Sequence, residues 1–157
     1  MRLHILRHGK TNQKSPTGKD YDRELLPKGI AQCNAQSKHI RVSDDCTIWC
    51  SAAKRTRQTF SYLNASHSYP KASYFEDLYL CSRDHLLKLI WQKNDGDELF
   101  LIGHNFGISD LASYFLDEPI ELRTGEYICL AFPFDSWNET SRGTASLVDR
   151  FRPEVKI

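Results

Sequence analysis

Four short apolar runs, each followed by a stretch with helical spacing, constrain this chain more than any other feature. Leu3, Ile5 and their neighbours read as a buried strand that stops at Arg7-His8-Gly9. Residues 10–27 are polar, with Pro16, Gly18 and Pro27, and read as a loop. Ile30, Ala31, Ala35 and Ile40 are compatible with a helix from Lys28 to about Ile40, and Cys46 to Cys50 is a second strand. Ala53 to Leu63 reads as a helix, Ala72 to Phe75 as a third strand and Arg83 to Gln92 as a helix. Leu99 to Ile102 is a fourth apolar strand, and Ile108, Leu111, Ala112, Phe115 and Leu116 then follow a 3.6-residue period. Tyr127 to Phe132 and Thr144 to Phe151 form a last pair of strands, joined by a polar turn that includes Gly143. Repeated strand–helix units require a largely parallel sheet with helices on both faces. The late pair suggests an antiparallel hairpin at one side of it. The expected fold is a three-layer α/β/α sandwich.

With 157 residues, the chain suits one domain over 1–157. A net charge of +1 gives no global basic field to attract nucleic acid or an acidic membrane. Any preference for anions must come from a local cluster of arginines. No apolar run approaches the roughly 20 residues of a membrane span. Met1 leads straight into a strand rather than a secretory signal. The five cysteines, Cys33, Cys46, Cys50, Cys81 and Cys129, are odd in number and lack CxxC spacing. Cys46 and Cys50 share a strand face but lie about 13 Å apart, too far for a disulfide or a shared metal. Reduced thiols in a cytoplasmic setting are the simplest reading.

In such a sheet, ligands bind beyond the carboxyl ends of the strands. Strand one ends in Arg7-His8-Gly9, strand two in Ser51-Ala-Ala-Lys-Arg55-Thr56, strand three in Glu76-Asp77 and strand four in Gly103-His104-Asn105. Two histidines, two arginines and a carboxylate converge on one rim. That set fits phosphoryl transfer. Arginine presents a planar fork of donors that matches phosphate oxygens. An imidazole can attack phosphorus, and neighbouring cations keep it neutral and nucleophilic. A second histidine can donate to a phosphoryl oxygen as charge builds.

These residues carry a resemblance to a known family. Leu6-Arg-His-Gly-Lys-Thr11 resembles the RHG motif of the histidine phosphatase superfamily, also called phosphoglycerate mutase-like. Ser51-Ala-Ala-Lys-Arg-Thr-Arg-Gln-Thr59 and Ile102-Gly-His-Asn105 resemble its second and third motifs, in the same order and spacing. The resemblance implies that His8 is the phosphorylated nucleophile and that Arg7, Arg55 and His104 complete a phosphate pocket without metal or cofactor. The short length points to the SixA-like branch, named for a phosphohistidine phosphatase. Asp22-Arg23-Glu24-Leu25 resembles that branch's Arg-Pro-Leu-Thr segment, which makes Arg23 a candidate substrate contact, although Glu24 and Leu26 depart from the pattern. Leu78-Tyr79-Leu80-Cys81-Ser82 resembles its Leu-Tyr-x-Ala-Ser segment. Larger members use a carboxylic acid near the end of strand three, which makes Glu76 the first candidate for the acid and Asp77 the second. A weak or absent acid favours phosphoramidates, because a protonated imidazole leaves phosphorus more readily than an alcohol does.

The expected substrate is therefore phosphohistidine in a phosphorylated protein. Two alternatives stand beside it: a phosphatase for a small phosphorylated metabolite, and a module that binds phosphorylated partners without turnover. Gly103-His-Asn-Phe-Gly107 has the spacing of a nucleophile elbow, but its central Asn105 is no nucleophile. His4 is expected only to pack beside the sheet, while His39, His67 and His85 have no evident partner. Trp49 and Trp91 are read as core, and Trp137, in the hairpin turn, as a candidate for exposure.

Overall fold

The computed structural model describes residues 1–156. Its elements are β1 (Arg2–Arg7), α1 (Pro27–His39), β2 (Thr47–Ser51), α2 (Lys54–Asn64), β3 (Ala72–Phe75), α3 (Arg83–Gln92), β4 (Glu98–Gly103), α4 (Gly107–Leu116), β5 (Tyr127–Ala131) and β6 (Ser146–Phe151). The six strands form one sheet in the order β3-β2-β4-β1-β5-β6. The first four pair in parallel, while β5 and β6 add antiparallel at the far side of β1.

The central strands are apolar because both of their faces are covered. Leu99 and Leu101 of β4 point into one core with Leu86 and Ile90 of α3 and Leu111 and Phe115 of α4. Phe100 and Ile102 point the opposite way, into a second core with Cys33 of α1 and Phe60 and Leu63 of α2. The period of two along one strand thus feeds both cores of the expected sandwich. Cys46 and Cys50 lie in the second core, and all five cysteines are free. Among the described residues, no helix is long and apolar enough to cross a membrane.

Register places the chemistry. Arg7 pairs with Gly103 across β1 and β4, so His8 and His104, one residue further, emerge side by side. Cys50 pairs with Ile102, which brings Ser51 beside the same strand end. By contrast, β3 is an edge strand three positions from β1, roughly 14 Å away at about 4.8 Å per strand.

Two glycines let the loop after β1 sit against α1. A Cβ on Gly29 would lie 2.2 Å from the Lys10 carbonyl oxygen, and one on Gly9 would lie 2.7 Å from the Gly29 carbonyl oxygen. Both obstacles are backbone, so neither can swing aside. Gly29→Ala is expected to cost about 1–3 kcal/mol of stability, as overpacking does. Urea unfolding measures this, and an unchanged midpoint would contradict the contact. Gly107 has the same constraint, since its Cβ would lie 2.2 Å from the Cys81 carbonyl oxygen. Close packing thus explains the glycine that imitates a nucleophile elbow.

The link between β5 and β6 is longer than the sequence suggested, spanning residues 132–145 and containing a 3₁₀ turn at Trp137–Glu139. Trp137 is 1% exposed, not a surface residue, because this link folds back over α3 and packs the indole beside Phe132. Its Nε1 donates to the Gly96 carbonyl at 2.9 Å. Trp91, expected in the core, is 40% exposed, with its Nε1 tethered to the Thr140 carbonyl at 2.8 Å.

Candidate active site

A cavity of about 310 Å³ opens at the carboxyl ends of β1 and β4, lined among others by Arg7, His8, Arg23, Arg55, His104 and Asp20. The structure therefore brings together five of the six residues singled out from the sequence.

His8 is buried, and its two ring nitrogens meet partners of opposite kind. Nδ1 lies 2.7 Å from the Gly9 carbonyl oxygen, which can only accept. Nε2 receives the Nε–H of Arg55 at 3.3 Å, which can only donate. The proton therefore sits on Nδ1 and the lone pair on Nε2. Burial pushes the His8 pKa well below its ordinary value; the hydrogen bond to the Gly9 carbonyl opposes it, and the nearby His104, Arg55 and Arg7 add smaller depressing effects. The ring is neutral at pH 7.

The ring centroid of His104 stands 5.4 Å from that of His8. Its Nε2 lies 2.8 Å from the Ser51 hydroxyl, which itself accepts from the Ala53 N–H at 3.4 Å. Ser51 is then free to donate to Nε2, leaving the proton on Nδ1. That Nδ1 is buried and has no partner among the described residues, and neither has the buried Nε of Arg7. Buried polar groups are rarely left unmatched, and two unmatched donors on side chains lining one cavity suit an anion. Burial first, then the Arg55 charge, lowers the His104 pKa to about 3.

Protonating either histidine costs folding energy. Their folded pKa values lie below the unfolded value near 6.5, so the unfolded chain takes up protons first and stability declines as pH falls from about 6.5 towards 3. Between pH 8 and pH 5.5, His104→Gln is expected to lose about 1.4 kcal/mol less than wild type. Denaturant titrations at the two pH values measure it, and parallel losses would contradict the assignment.

Arg55 is 3% exposed and held flat by three contacts. Besides the bond to His8, its Nη1 donates to the Asp20 carbonyl at 2.8 Å and its Nη2 to the Asp20 Oδ2 at 3.0 Å. Arg23 approaches Asp20 from the other side, with Nη1 3.0 Å from Oδ1, while its Nε and Nη2 bind the Asn12 carbonyl and the Thr11 hydroxyl. The Tyr79 hydroxyl also donates to Asp20 Oδ2. Tyr79, Arg23 and Arg55 together hold the Asp20 carboxyl well below the usual carboxylate range. Asp20 escaped the sequence reading because it lies in a polar loop outside the three motifs. Its spacing of three residues from Arg23 was the available signal.

Glu76 does not line the cavity. It is exposed at the end of edge strand β3, where its Oε2 accepts from the Tyr21 hydroxyl at 2.7 Å. The strand order, invisible in the sequence, is the reason. Asp77, the second candidate, pairs with His85 at 3.1 Å. The end of the second motif serves architecture: the Thr59 hydroxyl receives the Gly9 N–H at 3.1 Å, and Gln58 accepts from the Leu25 N–H at 2.8 Å. His4 does more than pack, bridging the Tyr127 hydroxyl at 2.6 Å and Glu98 at 2.7 Å. His39 pairs with Asp149.

Fold and cavity together define a phosphoglycerate mutase-like α/β sandwich whose central strands end in a cavity lined by two buried histidines and by arginines. Residues 3–78 match the model of the histidine phosphatase superfamily (branch 1). A structure from Nakamurella multipartitia, assigned as phosphohistidine phosphatase SixA, is similar with a TM-score of 0.81 at 22% identity, over 98% of this chain and 96% of that one. One from Agrobacterium tumefaciens with the same assignment has a TM-score of 0.79 at 22% identity, over 97% of each chain. The protein histidine phosphatase SixA complexed with tungstate follows at 0.73 and 15% identity, over 96% of each. No curated protein matches the chain.

Proposed function

We propose that the protein is a phosphatase that transfers a phosphoryl group to His8 and then to water, with phosphohistidine in proteins as its substrate. The observation that carries this reading is the lone pair of His8 Nε2, fixed by obligate partners in a cavity whose other walls supply cations and unmatched N–H donors. Attack by Nε2 forms a nitrogen–phosphorus bond as the bond to the leaving group breaks and its electron pair departs with that group. Arg7, Arg55 and the Nδ1–H of His104 neutralise charge on the phosphoryl oxygens. Water then attacks phosphorus, its proton passes to a phosphate oxygen, and the bond to Nε2 breaks to release inorganic phosphate and neutral His8.

The carboxylate lining the cavity bears on the leaving group. Asp20 is ionised, so it has no proton to give an alkoxide. A phosphohistidine ring protonated on its other nitrogen departs as neutral imidazole and needs no acid. The similarity to SixA structures supports the same substrate class, and the one complexed with tungstate holds a tetrahedral oxyanion.

The test compares kcat/KM on a phosphohistidine protein, an aryl phosphate and a sugar phosphate, without added metal, for wild type and Glu76→Gln. Phosphohistidine is expected to be preferred by at least about 100-fold, with Glu76→Gln within about twofold of wild type. A higher kcat/KM on the sugar phosphate would overturn the substrate, and a large loss in Glu76→Gln would restore that residue as the acid.

A further inference from the structure

A second groove, of about 590 Å³, runs on from the active-site cavity, and Lys10 and Thr124 line both. Its walls carry Lys10 and Lys28 from the loop after β1 and the start of α1, Arg123 from before β5, and Arg152 and Lys156 from after β6. All five cations are exposed, and none has a carboxylate within ion-pair distance among the described residues. Glu154 is the single acid lining the groove. In a chain with a net charge of only +1, such a local excess is concentrated where a substrate would extend beyond the phosphoryl group.

We propose that this groove receives an acidic segment of a phosphorylated protein while its phosphoryl group lies against His8. The proposal rests on the phosphatase reading above and adds the feature by which a protein substrate is chosen. A polypeptide fits better than a small anion for two reasons. The cations come from separate chain segments that line one long groove, a distribution that several carboxylates along a chain can match. Val155, half-buried beside the buried Pro153, also offers the groove an apolar contact that a side-chain stem can cover. Charges on such a rim act chiefly through steered encounter, so their effect belongs in kcat/KM and should fade with salt.

The experiment uses two phosphohistidine peptides of equal length, one with glutamates flanking the phosphohistidine and one with glutamines, beside phosphoimidazole as a small control. The double variant Lys28→Glu/Arg152→Glu reverses two groove charges, neither on a side chain that lines the active-site cavity. Both positions are exposed, and a glutamate in the first turn of α1 suits the helix dipole, so folding should be retained. Wild type is expected to favour the glutamate peptide by about tenfold in kcat/KM. The preference should vanish in the double variant and at high salt, while phosphoimidazole hydrolysis stays unchanged. Equal kcat/KM for the two peptides in wild type would overturn the proposal. So would an equal loss, in the double variant, on a small compound with two phosphate groups, which would make the groove a second phosphate subsite. Fluorescence anisotropy with labelled, unphosphorylated versions of both peptides reads the groove without turnover. If phosphoimidazole is not hydrolysed at all, the phosphatase reading fails by itself, and equal binding of the two labelled peptides then overturns the groove as well.

Discussion

Replacing His8 by alanine is expected to lower kcat by at least about 10⁴-fold, the scale seen when a nucleophile acting as part of a unit is removed. The geometry gives the reason. Gly9 and Arg55 leave Nε2 as the one ring atom able to attack, and burial keeps it unprotonated. His104, the other imidazole lining the cavity, has its Nε2 on the buried Ser51 hydroxyl and offers only an unpartnered Nδ1–H, a donor rather than a nucleophile. The check is single-turnover phosphate release, together with trapping of an acid-labile, base-stable phosphoryl adduct on the wild-type protein. A variant that keeps the wild-type rate, or an adduct on another residue, would remove His8 from the mechanism.

Arg55 should give the second-largest effect, and the contrast between two substitutions separates its roles. Arg55→Lys keeps a positive charge but loses the fork that binds His8, the Asp20 carbonyl and the Asp20 carboxylate at once. A fall of about 10²–10³-fold in kcat/KM is expected, comparable to the loss of one oxyanion donor. Arg55→Ala should fall further and also move the acid limb of the pH–rate profile. The guanidinium helps to depress the His8 pKa, so its removal lets that pKa rise, and the limb shifts to higher pH. The limb should stay in place in Arg55→Lys. An unmoved limb in the alanine variant would mean that burial alone keeps His8 neutral.

The site was legible in the sequence wherever a residue stood at the end of a recognisable strand. Arg7, His8 and His104 follow directly from apolar runs that stop abruptly, and Arg55 opens a helix after a third such run. The candidate acid stands outside the cavity for a reason no local pattern contains. Glu76 also stands at a strand end, but that strand lies at the edge of the sheet, and strand order depends on how helices cross over the faces. Asp20 is the converse case. It belongs to a loop without periodicity, and it enters the cavity only because that loop folds back, with the Leu26 N–H on the Lys10 carbonyl at 2.9 Å and the Asn12 N–H on the Glu24 carbonyl at 2.9 Å.

The tryptophans divide along the same line. Period and hydrophobicity assigned Trp91 to the core and left Trp137 in a turn, yet the link over α3 buries Trp137 and leaves Trp91 at its margin. Alternating and helical periods, turn residues and the three motifs are local properties of the chain, so they determined the elements, the sandwich and four of the residues at its centre. Which strand sits at the edge, which loop closes over the cavity and which cations share a groove depend on contacts between residues far apart in the chain, and only the tertiary structure decided those.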